Sequence, residues 1–163
     1  MLRADRLAKD LSVSRGSFYW HFPDVSAFER AVLDRWELIA VDLPYAKATG
    51  AKMHDACEAL RSLLVAVFTA PVSLERVVRS WATSSDVAAE AVARVDERRL
   101  SLLKDLVTRS DVLVGRADAD AVVLYCAYLG HVATNGALMN EAVLREMLER
   151  FCLEPSAPIQ SGQ

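Results

Sequence analysis

The chain has 163 residues, 53% hydrophobic and 25% charged, with a net charge of −3. That length suffices for one or two small domains burying about 70% of the unfolded surface, and the acidic balance excludes a general, charge-driven nucleic-acid binder. Few Gly and Pro among many Ala, Val and Leu point to an all-α protein, and the absence of a signal-peptide pattern or an apolar run of 18 residues makes a cytoplasmic chain with no membrane partner the expectation.

The first element is short. Leu7, Ala8 and Leu11 form the apolar face of a small helix. Ser12-Val13-Ser14 follows as a tight connection, with Val13 expected to plug the angle between two helices. Ser14 is a good N-cap, because its hydroxyl can accept from a free backbone N–H. The second helix is predicted over Arg15–His21, with Phe18 and Phe22 inward and Arg15, Gly16, Ser17, Tyr19 and Trp20 outward. Pro23 stops it, and Asp24 caps a third helix. Two short helices in sequence, the second displaying polar and aromatic groups, have the geometry that docks into a major groove.

The run Leu7 to Phe28, and Tyr19-Trp20-His21-Phe22 above all, resembles the tetracycline-repressor (TetR) family of one-component regulators. The resemblance covers about 22 residues by motif; the rest of the chain matches only in layout. It implies a helix-turn-helix (residues 1–24) followed by a helical ligand-binding and dimerisation bundle (25–153). It also implies that Arg15, Gly16 and Ser17 lie near base edges and Tyr19 and His21 near phosphates, with Ser14 and Trp20 as further DNA-binding candidates. Arg15 would pair with a guanine edge, and Gly16 would permit close approach to the groove. Three departures stand out. Ser12 replaces the usual Gly, at a cost of about 1 kcal/mol if the position needs a positive φ. Val25 replaces a phosphate-contacting Lys. Six residues precede Leu7 where the family has a further helix, so the expectation is a start upstream of Met1 or an incomplete reader in which Leu7, Leu11, Phe18 and Phe22 lack cover.

Further along, a long helix is predicted from Val25 to Leu43 through Phe28, Val32, Trp36 and Ile39, with Pro44 and Gly50 as breaks. Helices then follow over Ala51–Ala70, over Leu74–Thr83 with Ser73 as cap, and from Ser85 or Asp86 to Arg109. Another, with Asp118 or Asp120 in its first turn, runs through Leu138. The last spans Glu141–Leu153, capped by Asn140. Residues 154–163 read as a disordered tail. Cys57, Cys126 and Cys152 are odd in number and set in helices, which suits a reduced protein without structural disulfides.

Small residues Val123, Ala127, Gly130 and Thr134 recur every three or four positions, and Leu144, Met147, Leu148 and Phe151 follow on the last helix. They are the candidate homodimer surface, with burial in the chain's own core as the alternative. Met53, Phe68, Trp81, Tyr125, Tyr128, His131 and Asn135 are the candidate pocket for a small hydrophobic or aromatic ligand. Tyr128, His131 and Asn135 would share one helical face. Glu90, Asp96 and Glu97 read as a solvated face among arginines. His54, Cys57 and Cys126 lack the further ligands a metal needs, and no nucleophile elbow or phosphate loop is present. No metal, cofactor or enzyme activity is expected.

The expected function is a ligand-responsive repressor acting as a homodimer on a double-stranded DNA operator. Ligand would shift the Val25–Leu43 helix and change the separation of the two heads. The alternative is a dimeric small-molecule-binding or interaction module of the same family that has lost DNA binding through N-terminal truncation.

Overall fold

Side-chain caps set where most of these helices start. In a computed structural model, which describes residues 4–50, 55–110 and 116–151, all regular structure among the described residues is helical and no strand occurs. Two short helices, α1 (Ala4–Asp10) and α2 (Arg15–His21), come first. The Ser14 hydroxyl accepts from the Ser17 N–H at 3.0 Å to open α2. The Asp24 carboxylate accepts from Ala27 N–H at 2.7 Å to open α3 (Val25–Glu37). Asp55 does the same for α5 (Ala56–Thr69), Ser85 for α7 (Asp86–Arg109) and Asn140 for α9 (Glu141–Phe151). Each such cap is worth about 1 kcal/mol. The expected cap Ser73 instead lies inside α6 (Ser73–Ala82), which starts after Val72 without a side-chain cap.

Pro44 does not break the chain. The helix continues from α3 through a π-helical turn, Leu38–Asp42, into α4 (Leu43–Ala48), with Pro44 in the first turn of α4. There the missing proline N–H does least harm. In α-helical register residue 44 would donate to the Ala40 carbonyl; the Nε–H of Arg99, on α7, donates to that oxygen instead, at 3.2 Å.

The helix predicted through Leu138 stops earlier, as α8 (Ala117–Ala133). Asn135 takes a left-handed φ of 53°. Its N–H bonds to the Val132 carbonyl at 3.1 Å, and the Gly136 N–H to the His131 carbonyl at 2.8 Å. This is a Schellman ending with asparagine in the left-handed position. Gly136, at φ 77°, is needed there, because a Cβ would sit 3.3 Å from Cε1 of His131.

Among the described residues, three apolar clusters organise the fold. The largest joins α5, α7, α8 and α9 around Leu60, Leu64, Leu106 and Leu124. A second joins α3, α6 and α7 around Leu33, Trp36, Val78 and Val95. The third is the head: Ala4, Ala8 and Phe18, with Leu7, Phe22, Val25 and Phe28 against them. Phe18, Phe22 and Phe28 form a triangle of rings 5.2–5.7 Å apart. Phe18 is therefore fully covered within the described residues, contrary to expectation, whereas Leu11 is 53% exposed. Val13 is exposed as well and plugs nothing. Ser12 does adopt the positive φ, 55°, that its position suggested.

Candidate functional site

On the head, burial of Phe18 fixes which side of α2 faces out. Arg15, Gly16, Tyr19, Trp20 and His21 are exposed, Trp20 by 82%, while Ser14 is the exposed cap and Ser17 is half-buried. The Trp20 and His21 rings meet edge to face at 4.7 Å. The Arg15 guanidinium lies 5.7 Å from the Tyr19 ring centroid and 3.3 Å from the Asp5 carboxylate of α1. A Cβ at Gly16 would meet nothing nearer than the Ser14 hydroxyl at 3.8 Å, so the fold itself does not require glycine there. Val25, at the position of the expected lysine, is absorbed into the head cluster.

In the body, a charged cluster lies between α3, α6, α7 and α8. Glu75 is only 6% exposed. One of its oxygens accepts from Arg79 Nε and Arg99 Nη1, both at 2.8 Å. The other accepts from Arg99 Nη2 at 2.9 Å and from the Trp36 indole N–H at 3.1 Å. Arg79 reaches on to Asp96, at 2.5 and 3.1 Å, and the Tyr125 hydroxyl donates to Asp96 at 2.6 Å. Burial pushes the Glu75 carboxyl up, but the two guanidiniums outweigh it and hold it below the usual range. Burial lowers both arginines, yet their carboxylate partners raise them further. Burial and Asp96 raise the Tyr125 hydroxyl; burial raises Tyr128, partly offset by Arg99. Glu75 thus stays a carboxylate, held between the Arg79 and Arg99 guanidiniums.

Glu75, Arg99, Trp36 and Tyr125 of this cluster, but not Arg79 or Asp96, help to wall two adjoining apolar lobes that share part of their lining. One, of about 70 Å³, lies between Pro44, Tyr45, Phe68, Leu103 and Tyr125. The other, of about 120 Å³, lies between Trp36, Ile39, Pro71, Leu74 and Glu75. Arg99, Tyr128, Ala40, Pro44 and Val67 line both. The Arg99 guanidinium sits 5.0 Å over the Tyr128 ring.

Of the predicted pocket residues, Phe68, Tyr125 and Tyr128 meet at the cavity. Trp81 packs instead into the α3–α6–α7 cluster. His131 is buried beside the Phe68 ring, 5.4 Å away, outside the cavity lining. Asn135 lies exposed beyond the end of α8, so it does not share a helical face with Tyr128. Met53 is outside the described residues. Asp96 is drawn into the buried cluster, so only Glu90 and Glu97 lie on a solvated face. Glu75, Arg79 and Arg99 were missed. Arg99, four residues after Val95 and four before Leu103, sits on the buried stripe of α7, the one signal that set it apart from solvated arginines.

The predicted dimer residues divide. Val123 and Gly130 are exposed and Thr134 is half-buried. Met147 and Leu148 are buried in the chain's own core, and Ala127, Leu144 and Phe151 pack against it. Val122, Cys126 and Ala133 extend the exposed strip on α8. Among the described residues no group of three or more His, Cys, Asp and Glu is placed to hold a metal, and no single helix is long and apolar enough to cross a membrane.

No family model, curated protein or solved structure matches this chain.

Proposed function

We infer that the protein is a ligand-responsive, DNA-binding transcriptional regulator of the TetR type, a repressor acting as a homodimer. The observation that carries this reading is the position of α3. Its first turn, at Val25 and Phe28, belongs to the head cluster. Its last turn, at Trp36, hydrogen-bonds Glu75 beside the cavity. One rigid element therefore joins the face that would meet DNA to the space that would hold a ligand. A ligand filling the cavity acts on DNA only through unequal affinity for two positions of that element.

Two glycines add support. Gly130 sits inside α8, where glycine costs roughly 1 kcal/mol relative to alanine, Gly16 sits in the first turn of α2, and neither is required by packing among the described residues. Close approach from outside gives each a reason: a groove edge at Gly16, a partner helix at Gly130. Paired heads would read half-sites about one helical turn apart.

A second reading is a binding or interaction module of the same family without DNA binding. The Asp5–Arg15 pair favours it, because Arg15 is the sole Lys or Arg on α2 and is already engaged. Titration with the DNA upstream of the gene separates the two. The regulator reading requires salt-sensitive, sequence-preferring binding that is weakened when the cavity is filled.

A further inference from the structure

We propose that the two-lobed cavity takes an uncharged, flat apolar molecule carrying one hydrogen-bond acceptor, such as an aromatic ketone, with that acceptor on the Arg99 guanidinium. This rests on the reading of the cavity as a ligand site.

Charge decides the class. The charged groups lining the cavity among the described residues balance: Glu75 against Arg99. A carboxylate or ammonium entering the cavity would leave one net charge uncompensated against a largely apolar lining, which is unfavourable. An anion on Arg99 would also sit beside the Glu75 carboxylate, a like charge that opposes it. A neutral acceptor displaces nothing. Of the five N–H donors of Arg99, three bond to Ala40 and to both oxygens of Glu75 and the Tyr128 hydroxyl is a further partner of the guanidinium, which leaves one for a ligand. Arg99 is among the residues that line both lobes.

Size and shape decide the body. A dry apolar cavity of roughly 150 Å³ accepts a benzene-sized guest; lobes of about 70 and 120 Å³ meeting at Arg99 and Tyr128 suit one or two fused rings. Tyr125 and Tyr128, stacked with centroids 6.2 Å apart, and Phe68 offer ring faces and edges to such a body.

The test uses four probes of one shape: naphthalene, 2-acetylnaphthalene, 2-naphthoate and 2-naphthylmethylammonium, titrated into the full chain by calorimetry. The ketone should bind about tenfold or more tighter than naphthalene, as expected for a hydrogen bond to a charged donor. Both ions should bind more weakly than naphthalene. The double substitution Glu75→Gln with Arg99→Met removes one charge of each sign and keeps an acceptor for Trp36. It should abolish the preference for the ketone while leaving naphthalene bound, with unchanged circular dichroism. Tightest binding by naphthoate or by the ammonium overturns the proposal, as does failure of all four probes. Anisotropy with operator DNA is read separately. A ketone that binds as described but leaves DNA affinity unchanged upholds the ligand class and defeats the regulator reading; DNA binding without any probe binding does the reverse.

Discussion

The Nε–H of Arg99 donates to the carbonyl of Ala40 at 3.2 Å, the oxygen that an α-helical residue other than proline at position 44 would satisfy. The same guanidinium clamps Glu75 and lies over the rings of Tyr128 and Trp36. One side chain of α7 thus ties the π-helical turn, the buried carboxylate and the cavity together.

Removing Arg99 alone should be costly. Arg99→Met leaves Glu75 buried with only Arg79 and the Trp36 indole to offset its charge, and loss of one partner of a buried pair costs about 3–5 kcal/mol. The Glu75→Gln/Arg99→Met double variant should recover most of that loss, because no charge is left unpaired. Urea unfolding of both variants measures the difference; a double variant no more stable than Arg99→Met contradicts the account of the cluster.

His131 should make the fold sensitive to mild acid. It is 7% exposed, neither ring nitrogen has a hydrogen-bond partner among the described residues, and burial holds its pKa below the usual 6.5. The folded state therefore favours the neutral ring. The stability this brings is fully present above pH 6.5 and is lost as pH falls below it toward the folded-state value, because the unfolded chain binds the proton more readily. Urea midpoints should drop between about pH 7.5 and 5.5, and His131→Leu should flatten that drop. An equal drop in the variant assigns the effect to other groups.

Ser12 carries a backbone conformation it does not favour. At φ 55° an L-residue is strained by about 1–2 kcal/mol, while glycine there gives back part of the gain through the greater freedom of the unfolded chain. Ser12→Gly should stabilise the head by about 0.5 kcal/mol, and the β-branched Ser12→Val should destabilise it by more than about 1 kcal/mol. Hydrogen exchange of the α1 and α2 amides reads both effects; a Val variant with unchanged protection removes the strain argument.

Local signals were legible in the sequence and long-range ones were not. Ser14, Asp24 and Asn140 cap the helices their spacing indicated, because a cap is decided within four residues. Phe68, Tyr125 and Tyr128 were found because apolar periodicity names a helix's inner face. The end of α8 was misplaced: Asn135 and Gly136 turn the chain into a left-handed Schellman ending within a stretch that otherwise keeps helical composition. Pro44 read as a break because its substitute donor comes from Arg99, 55 positions later in the sequence. Asp96 read as a surface charge and Arg79 and Arg99 were not singled out, since nothing local reveals that both arginines converge on Glu75 or that Arg79 reaches on to Asp96. Met147 and Leu148 were assigned outward because spacing defines a stripe without saying which neighbour covers it.

The most direct test of the central claim is equilibrium binding of the chain to the DNA upstream of its gene, compared with an Arg15→Ala/Trp20→Ala variant. Both side chains are exposed, so the variant should keep the wild-type unfolding midpoint. The account predicts sequence-preferring binding by the wild type that weakens between about 50 and 200 mM salt, and loss of that preference in the variant. Equal binding by the two proteins, or no salt-sensitive binding by the wild type, contradicts it.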